Sequence, residues 1–136
     1  MRYLLDVNAL IALGIKEHTF RPQLRAWLTS IAVRETPQLA TCSITELGFI
    51  RIVSQIPVYG FTVEDAKEEL AKLKGSKNYD FAFIEDGNDM SKLPNWVKGH
   101  RQTTDGHLAQ LARSNGATLA TLDEKIPDTF LIPTLK

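Results

Sequence analysis

Four acidic residues, Asp6, Glu46, Asp105 and Asp123, stand where apolar, strand-like runs end or where helices begin. Carboxylates gathered in one place repel one another unless they share a cation, and such hard oxygen donors suit Mg²⁺ or Mn²⁺. The runs are Tyr3–Asp6 (YLLD), Gln38–Cys42 (QLATC) leading into Ser43–Glu46 (SITE), and Ala117–Asp123 (ATLATLD), while Asp105 opens a helical segment. In open α/β sheets, ligands bind just beyond the carboxyl ends of parallel strands, which is where these acids fall. The pattern points to a carboxylate cluster that holds divalent metal.

Each acid also has an ordinary structural explanation. Asp6 can cap a helix or complement its dipole. Ser43 and Glu46 have the S-x-x-E spacing of a capping box. Asp105 lies in a first helical turn, where an acid is stabilised by about 0.3–1 kcal/mol without any function. Asp123, in TLDEK, is placed to start a turn. All four alternatives stay open, but together they would have to bring their acids to the same end of one sheet.

Other reactive groups are scattered. Arg51 follows Glu46 by about a turn and a half of helix, so it is either an ordinary surface charge or a contact for a phosphate bound at the metal site. His18, His100 and His107 lack zinc spacing and are assigned surface or packing roles. Trp96 is read as an anchor for its loop rather than a stacking platform. Cys42 is the only cysteine, which excludes an internal disulfide and a cysteine zinc cage, and its apolar neighbours suggest burial. The glycines fit no phosphate-binding loop, dinucleotide fingerprint or nucleophile elbow.

The elements that position these groups follow from hydrophobic periodicity. Tyr3–Asp6 reads as a buried strand, after which Asn8 can cap a helix carrying Leu10, Ile11 and Leu13 until Gly14 weakens the pattern. A second helix is expected from about Pro22, with Leu24, Trp27, Leu28 and Ile31 on one face. A strand at Leu39–Cys42 precedes a helix from Ile44 to about Gln55, stopped by Pro57. Thr62 and Asp65 box the start of another helix, striped by Val63, Ala66, Leu70 and Leu73 and stopped by Gly75. Phe81–Glu85 is a third strand, and the polar stretch from Asp86 to Thr103 reads as a long loop. A helix from about Asp105 to Ser114 then leads through Asn115 and Gly116 to a fourth strand, Thr118–Leu122. Phe130–Thr134 adds a possible fifth strand, which Pro133 assigns to an edge or an end. Alternating strands and helices imply an α/β fold, a central parallel sheet of four to five strands flanked by helices.

The chain's 136 residues fit a single domain, residues 1–136, with no repeat or interdomain linker. Its 43% hydrophobic and 24% charged residues match ordinary globular proteins and exclude disorder or a membrane class. The apolar stretch Ala9–Ile15 is too short to span a bilayer, and the flanking residues do not suit a signal peptide, so a cytoplasmic location is expected. Lysine plus arginine equals aspartate plus glutamate at 16 each, which counts against tight nonspecific nucleic-acid binding but leaves a nucleic-acid substrate open.

In order and wording, three segments resemble the PIN-domain ribonucleases, in particular the VapC-like toxins of toxin–antitoxin pairs. Leu4–Leu13 (LLDVNALIAL) is similar to the opening Asp-x-Asn/Ser/Thr motif, Thr41–Ile52 (TCSITELGFIRI) to the helix bearing the family glutamate, and Thr103–Ile126 to the C-terminal block with the last two acids. The resemblance implies Asp6, Glu46, Asp105 and Asp123 as catalytic metal ligands, with Asn8 beside the first and Thr121 as a supporting hydroxyl. It also implies one or two Mg²⁺ or Mn²⁺ ions, an RNA substrate, a homodimer and a cognate antitoxin. Gly106 departs from the pattern, following the third acid where a larger residue is common, and is expected to loosen that helix start. A phosphoacceptor receiver domain fits poorly, because Asp6 stands alone and Lys125 is followed by Ile126 rather than proline. A noncatalytic PIN fold that only binds protein or RNA is the alternative function.

Overall fold

The computed structural model describes residues 1–135. Its elements are β1 (Arg2–Leu5), α1 (Val7–Gly14), α2 (Arg21–Ala32), β2 (Gln38–Cys42), α3 (Ser43–Gln55), α4 (Val63–Lys74), β3 (Asp80–Ile84), α5 (Thr103–Ser114), β4 (Ala117–Thr121) and β5 (Phe130–Leu131). All strand pairs are parallel, in the order β3-β2-β1-β4-β5. The α/β architecture with a five-stranded sheet is therefore the one the sequence implies. Pro133 follows β5, the edge strand.

Chirality accounts for the layering. A crossover between parallel strands is right-handed, so helices lie on one face while the chain steps one way across the sheet and on the other face when it steps back. From β1 through β2 to β3 the steps run in one direction, and α1 to α4 pack on a single face. The return step to β4 puts α5 on the opposite face. Strand residues alternate accordingly: Leu5, Leu39 and Ala120 join the cluster with Leu10, Leu28, Phe49 and Leu70, whereas Leu4, Ala40 and Leu119 meet Leu108 and Leu111. Cys42 is fully buried in the second cluster, and Trp96 packs against it, as expected of a loop anchor. The direction of strand addition reverses at β1, which makes the carboxyl ends of β1 and β4 the switch point of the sheet.

Local chemistry sets the helix ends. β1 passes directly into α1, so Asp6 rather than Asn8 is the cap, and its side chain accepts the Ala9 N–H. β2 likewise runs into α3 without a linker. The capping interaction is consequently one residue earlier than the sequence suggests, with the Cys42 N–H donating to Thr45 Oγ1 at 3.0 Å, and Glu46 is not used as a box partner. The box of Thr62 and Asp65 at α4 is formed in both directions, each bond 3.0 Å. The long segment after β3 contains two short 3₁₀ turns, Met90–Lys92 and His100–Gln102, and α5 starts at Thr103. Among the described residues no helix is long and apolar enough to cross a membrane.

Candidate metal centre

Asp6 leaves the end of the central strand and is only 7% exposed. Its two carboxylate oxygens are used differently. Oδ1 accepts the Ala9 N–H at 2.8 Å, and Oδ2 accepts the Thr121 hydroxyl at 2.6 Å. A carboxylate has about four lone-pair sites, so one on each oxygen remains for a further partner. Helix capping and metal binding are thus compatible at this residue, and the structural role does not displace the chemical one. Burial pushes the Asp6 carboxyl above its usual range; the hydrogen bonds from Thr121 and Ala9 oppose this, and the charges of Asp105 and Asp123 add to it.

Thr121, the last residue of β4, is fully buried. While donating to Asp6, its Oγ1 accepts the Asp123 N–H at 3.0 Å. Asp123 then turns the chain, accepting the Lys125 N–H on Oδ1 at 2.9 Å. Asp105 enters from the first turn of α5. Its carboxyl is raised first by burial and then by the charge of Asp123. The switch point therefore brings Asp6, Asp105 and Asp123 within electrostatic reach of one another.

A cavity of about 190 Å³ opens beside them, lined by Asp6, Asn8, Arg51, Thr104 and Asp105 among others. Asn8 and Arg51, the proposed supporting amide and phosphate contact, therefore face the same space as two of the acids. The donor set suits Mg²⁺ or Mn²⁺: hard oxygens, mutual repulsion that a cation relieves, and unused lone pairs on Asp6. Among the described residues no three His, Cys, Asp or Glu side chains are grouped closely enough to hold an ion unaided. Mg²⁺ does not require that, because it keeps several waters and binds through one or two carboxylates together with substrate phosphates.

Glu46 has other partners. Its Oε2 accepts the Thr41 hydroxyl and the Lys74 ammonium, each at 2.5 Å. It does not line the cavity shared by Asp6 and Asp105. No spacing motif singles out Lys74 in the sequence, although an antiparallel α3–α4 pair joined by a short connection must bring the end of α4 near the start of α3. His107 is buried, as a packing role requires, but its Nε2 also meets Asp86 Oδ2, across the start of the long loop.

Gly106 has a steric reason. A Cβ there would lie 2.2 Å from Val97 Cγ2 and 3.5 Å from Pro94 Cδ, so the missing side chain lets the loop seat against α5 rather than loosening the helix.

Known proteins resemble this chain along nearly its whole length. The PIN domain family model matches residues 3–129. Ribonuclease VapC38 of Mycobacterium tuberculosis is 37% identical over 125 residues, covering 88% of this chain and 84% of that protein. Ribonuclease VapC29 of the same species is 32% identical, covering 98% of each. The crystal structure of VapBC2 from Rickettsia felis, bound to a DNA fragment from their promoter, shares the fold with a TM-score of 0.63 and 19% identity over 96% of this chain and 97% of that one. The family match spans nearly the whole described sequence and contains every acid of the site, and the chain belongs to the PIN-domain family.

Proposed function

We propose that this protein is a Mg²⁺- or Mn²⁺-dependent endoribonuclease, acting as the toxin of a toxin–antitoxin pair. The observation that carries the reading is the convergence of Asp6, Asp105 and Asp123 at the sheet's switch point, with lone pairs of Asp6 left free. The VapC ribonucleases among its relatives support RNA as the substrate. The VapBC2 neighbour supports a protein antitoxin as partner. A homodimer in the cytoplasm belongs to the same reading.

In this mechanism Asp6, Asp105 and Asp123 would hold the ion together with water and substrate phosphate, while Glu46, at the start of α3, is held by Thr41 and Lys74 outside that shell. A divalent ion held there would supply positive charge for activating water and for offsetting charge on the scissile phosphate. Thr121 fixes the Asp6 carboxylate so that its free lone pairs keep one direction, and Asn8 offers an amide at the rim of the cavity. Arg51 supplies a guanidinium for a non-bridging phosphate oxygen.

The test is cleavage of a total-RNA pool by purified, antitoxin-free protein with Mg²⁺ or Mn²⁺, using EDTA and Asp6→Asn as controls. Discrete metal-dependent products that the variant does not make are expected. No cleavage, or cleavage that survives in Asp6→Asn, would transfer the assignment to a noncatalytic binding module.

A further inference from the structure

Among the described residues, Glu46 is the one acid of the set that already has a cation. Lys74 Nζ lies 2.5 Å from its Oε2, the Thr41 hydroxyl binds the same oxygen at 2.5 Å, and the Phe83 ring centroid is 5.6 Å from the ammonium. Both members of the pair are largely withdrawn from water, with side-chain exposures of 32% for Lys74 and 22% for Glu46. Elements distant in sequence converge here: the end of α4, the start of α3, and adjacent positions on β2 and β3, where Thr41 pairs with Phe83. The charges of Asp105 and Asp123 act on Asp6, whereas Glu46 is not among the groups that perturb it.

We propose that Lys74 is a positioning residue that takes the place of a second divalent ion, holding Glu46 away from the aspartates so that the protein binds one metal ion per chain. This rests on the metal-dependent reading above and narrows it. Charge balance leads to the same count. Asp6, Glu46, Asp105 and Asp123 carry four negative charges, and Lys74 and Arg51 supply two positive ones. One divalent ion neutralises what remains. Without Lys74, Glu46 would stand as an uncompensated, part-buried carboxylate beside hard-metal sites, which is the environment that recruits a second cation.

The experiment is a titration of metal-free, antitoxin-free protein with Mn²⁺, counting bound ions by the electron paramagnetic resonance signal of free Mn²⁺. Circular dichroism melts establish that each variant is folded. Wild type is expected to bind one ion, and Asp6→Asn none at the same concentrations. Glu46→Gln should retain one ion with nearly unchanged affinity, Lys74→Arg should also retain one, and Lys74→Met should take up a second. A count of two in wild type, a loss of about tenfold or more in affinity in Glu46→Gln, or a count still at one in Lys74→Met would each overturn the role of Lys74. Two ions in wild type would leave the metal-dependent reading standing, whereas no binding by wild type would overturn both.

Discussion

Thr121 Oγ1 lies 2.6 Å from Asp6 Oδ2 and 3.0 Å from the Asp123 backbone nitrogen, so one buried hydroxyl couples the ends of β1 and β4. The hydroxyl donates to the first acid while it fixes the chain that carries the last. Because β1 and β4 are adjacent and parallel, their carboxyl ends meet whatever the loops do. The bond therefore orients a candidate metal ligand with the rigidity of the sheet rather than of a loop.

Thr121→Val should expose how much depends on that hydroxyl. Valine keeps the shape but leaves the Asp123 N–H and the Asp6 carboxylate each short of a partner, at a cost of about 1–3 kcal/mol. Thr121→Ser should restore most of it. Urea unfolding and Mn²⁺ affinity measured together check both effects; Thr121→Val behaving as wild type in both would show that the bridge does nothing for the site.

The acids themselves should destabilise the metal-free protein. Asp6 and Asp105 have carboxyl groups raised above the ordinary value of 3.8, so between that value and their folded values the native state binds more protons than the unfolded chain. Stability from these two groups consequently falls as pH rises through the folded values, and it is recovered on acidification until the unfolded carboxyls also protonate near 3.8. Asp6→Asn keeps an oxygen for the Ala9 cap and removes the charge. In EDTA it should melt higher than wild type at pH 7, with an advantage that shrinks toward pH 4. Added Mn²⁺ should reverse the order at pH 7, since only wild type gains from ligand binding. An Asp6→Asn protein that is less stable than wild type at pH 7 without metal would mean that Asp6 serves mainly as a cap.

Much of this site was legible because it depends on short-range rules. An apolar run ending in an acid marks a strand end, alternation of such runs with helices marks a parallel sheet, and the parallel sheet brings the acids to one edge. Asp6 and Asp123 follow that logic directly, and Asp105 comes in on the helix that precedes β4. Contacts between surfaces of different helices were not legible: Lys74 and Glu46 are 28 residues apart, and their pairing depends on how α3 and α4 pack. The same holds for His107 and Asp86, 21 apart, whose meeting requires the path of the long loop. Helix starts shifted by one or two residues for a simpler reason. β1 and β2 enter their helices with no intervening loop, so the cap falls on the residue that ends the strand.

His107 and Asp86 offer a test of what holds the long loop. His107 is 5% exposed, and its ring nitrogen meets the Asp86 carboxylate where the chain leaves β3. His107→Leu fills similar space but leaves the Asp86 carboxylate without its partner, which should cost about 1–3 kcal/mol. Limited proteolysis should then cut the segment from Asp86 to Gln102 faster than in wild type. Equal cutting rates would show that the loop is held by its other contacts with α5, among them Trp96, Val97 and the Asn88–Ser114 bond.

Gly106 and Val97 make the strongest steric prediction. A methyl group at position 106 would sit 2.2 Å from Val97 Cγ2, a separation no packing tolerates, and the glycine is buried one residue after Asp105. Gly106→Ala should gain helix propensity of under about 1 kcal/mol, yet the overpacking it causes should cost about 1–3 kcal/mol and win. The loop would be pushed off α5 beside a candidate ligand, so Mn²⁺ affinity should fall with stability. Val97→Ala removes the clashing methyls, and in the double variant the two changes should be strongly non-additive, with stability returning toward that of Val97→Ala alone. A double-mutant cycle by urea unfolding measures this coupling. If the two effects simply add, the glycine is required by something other than its contact with Val97.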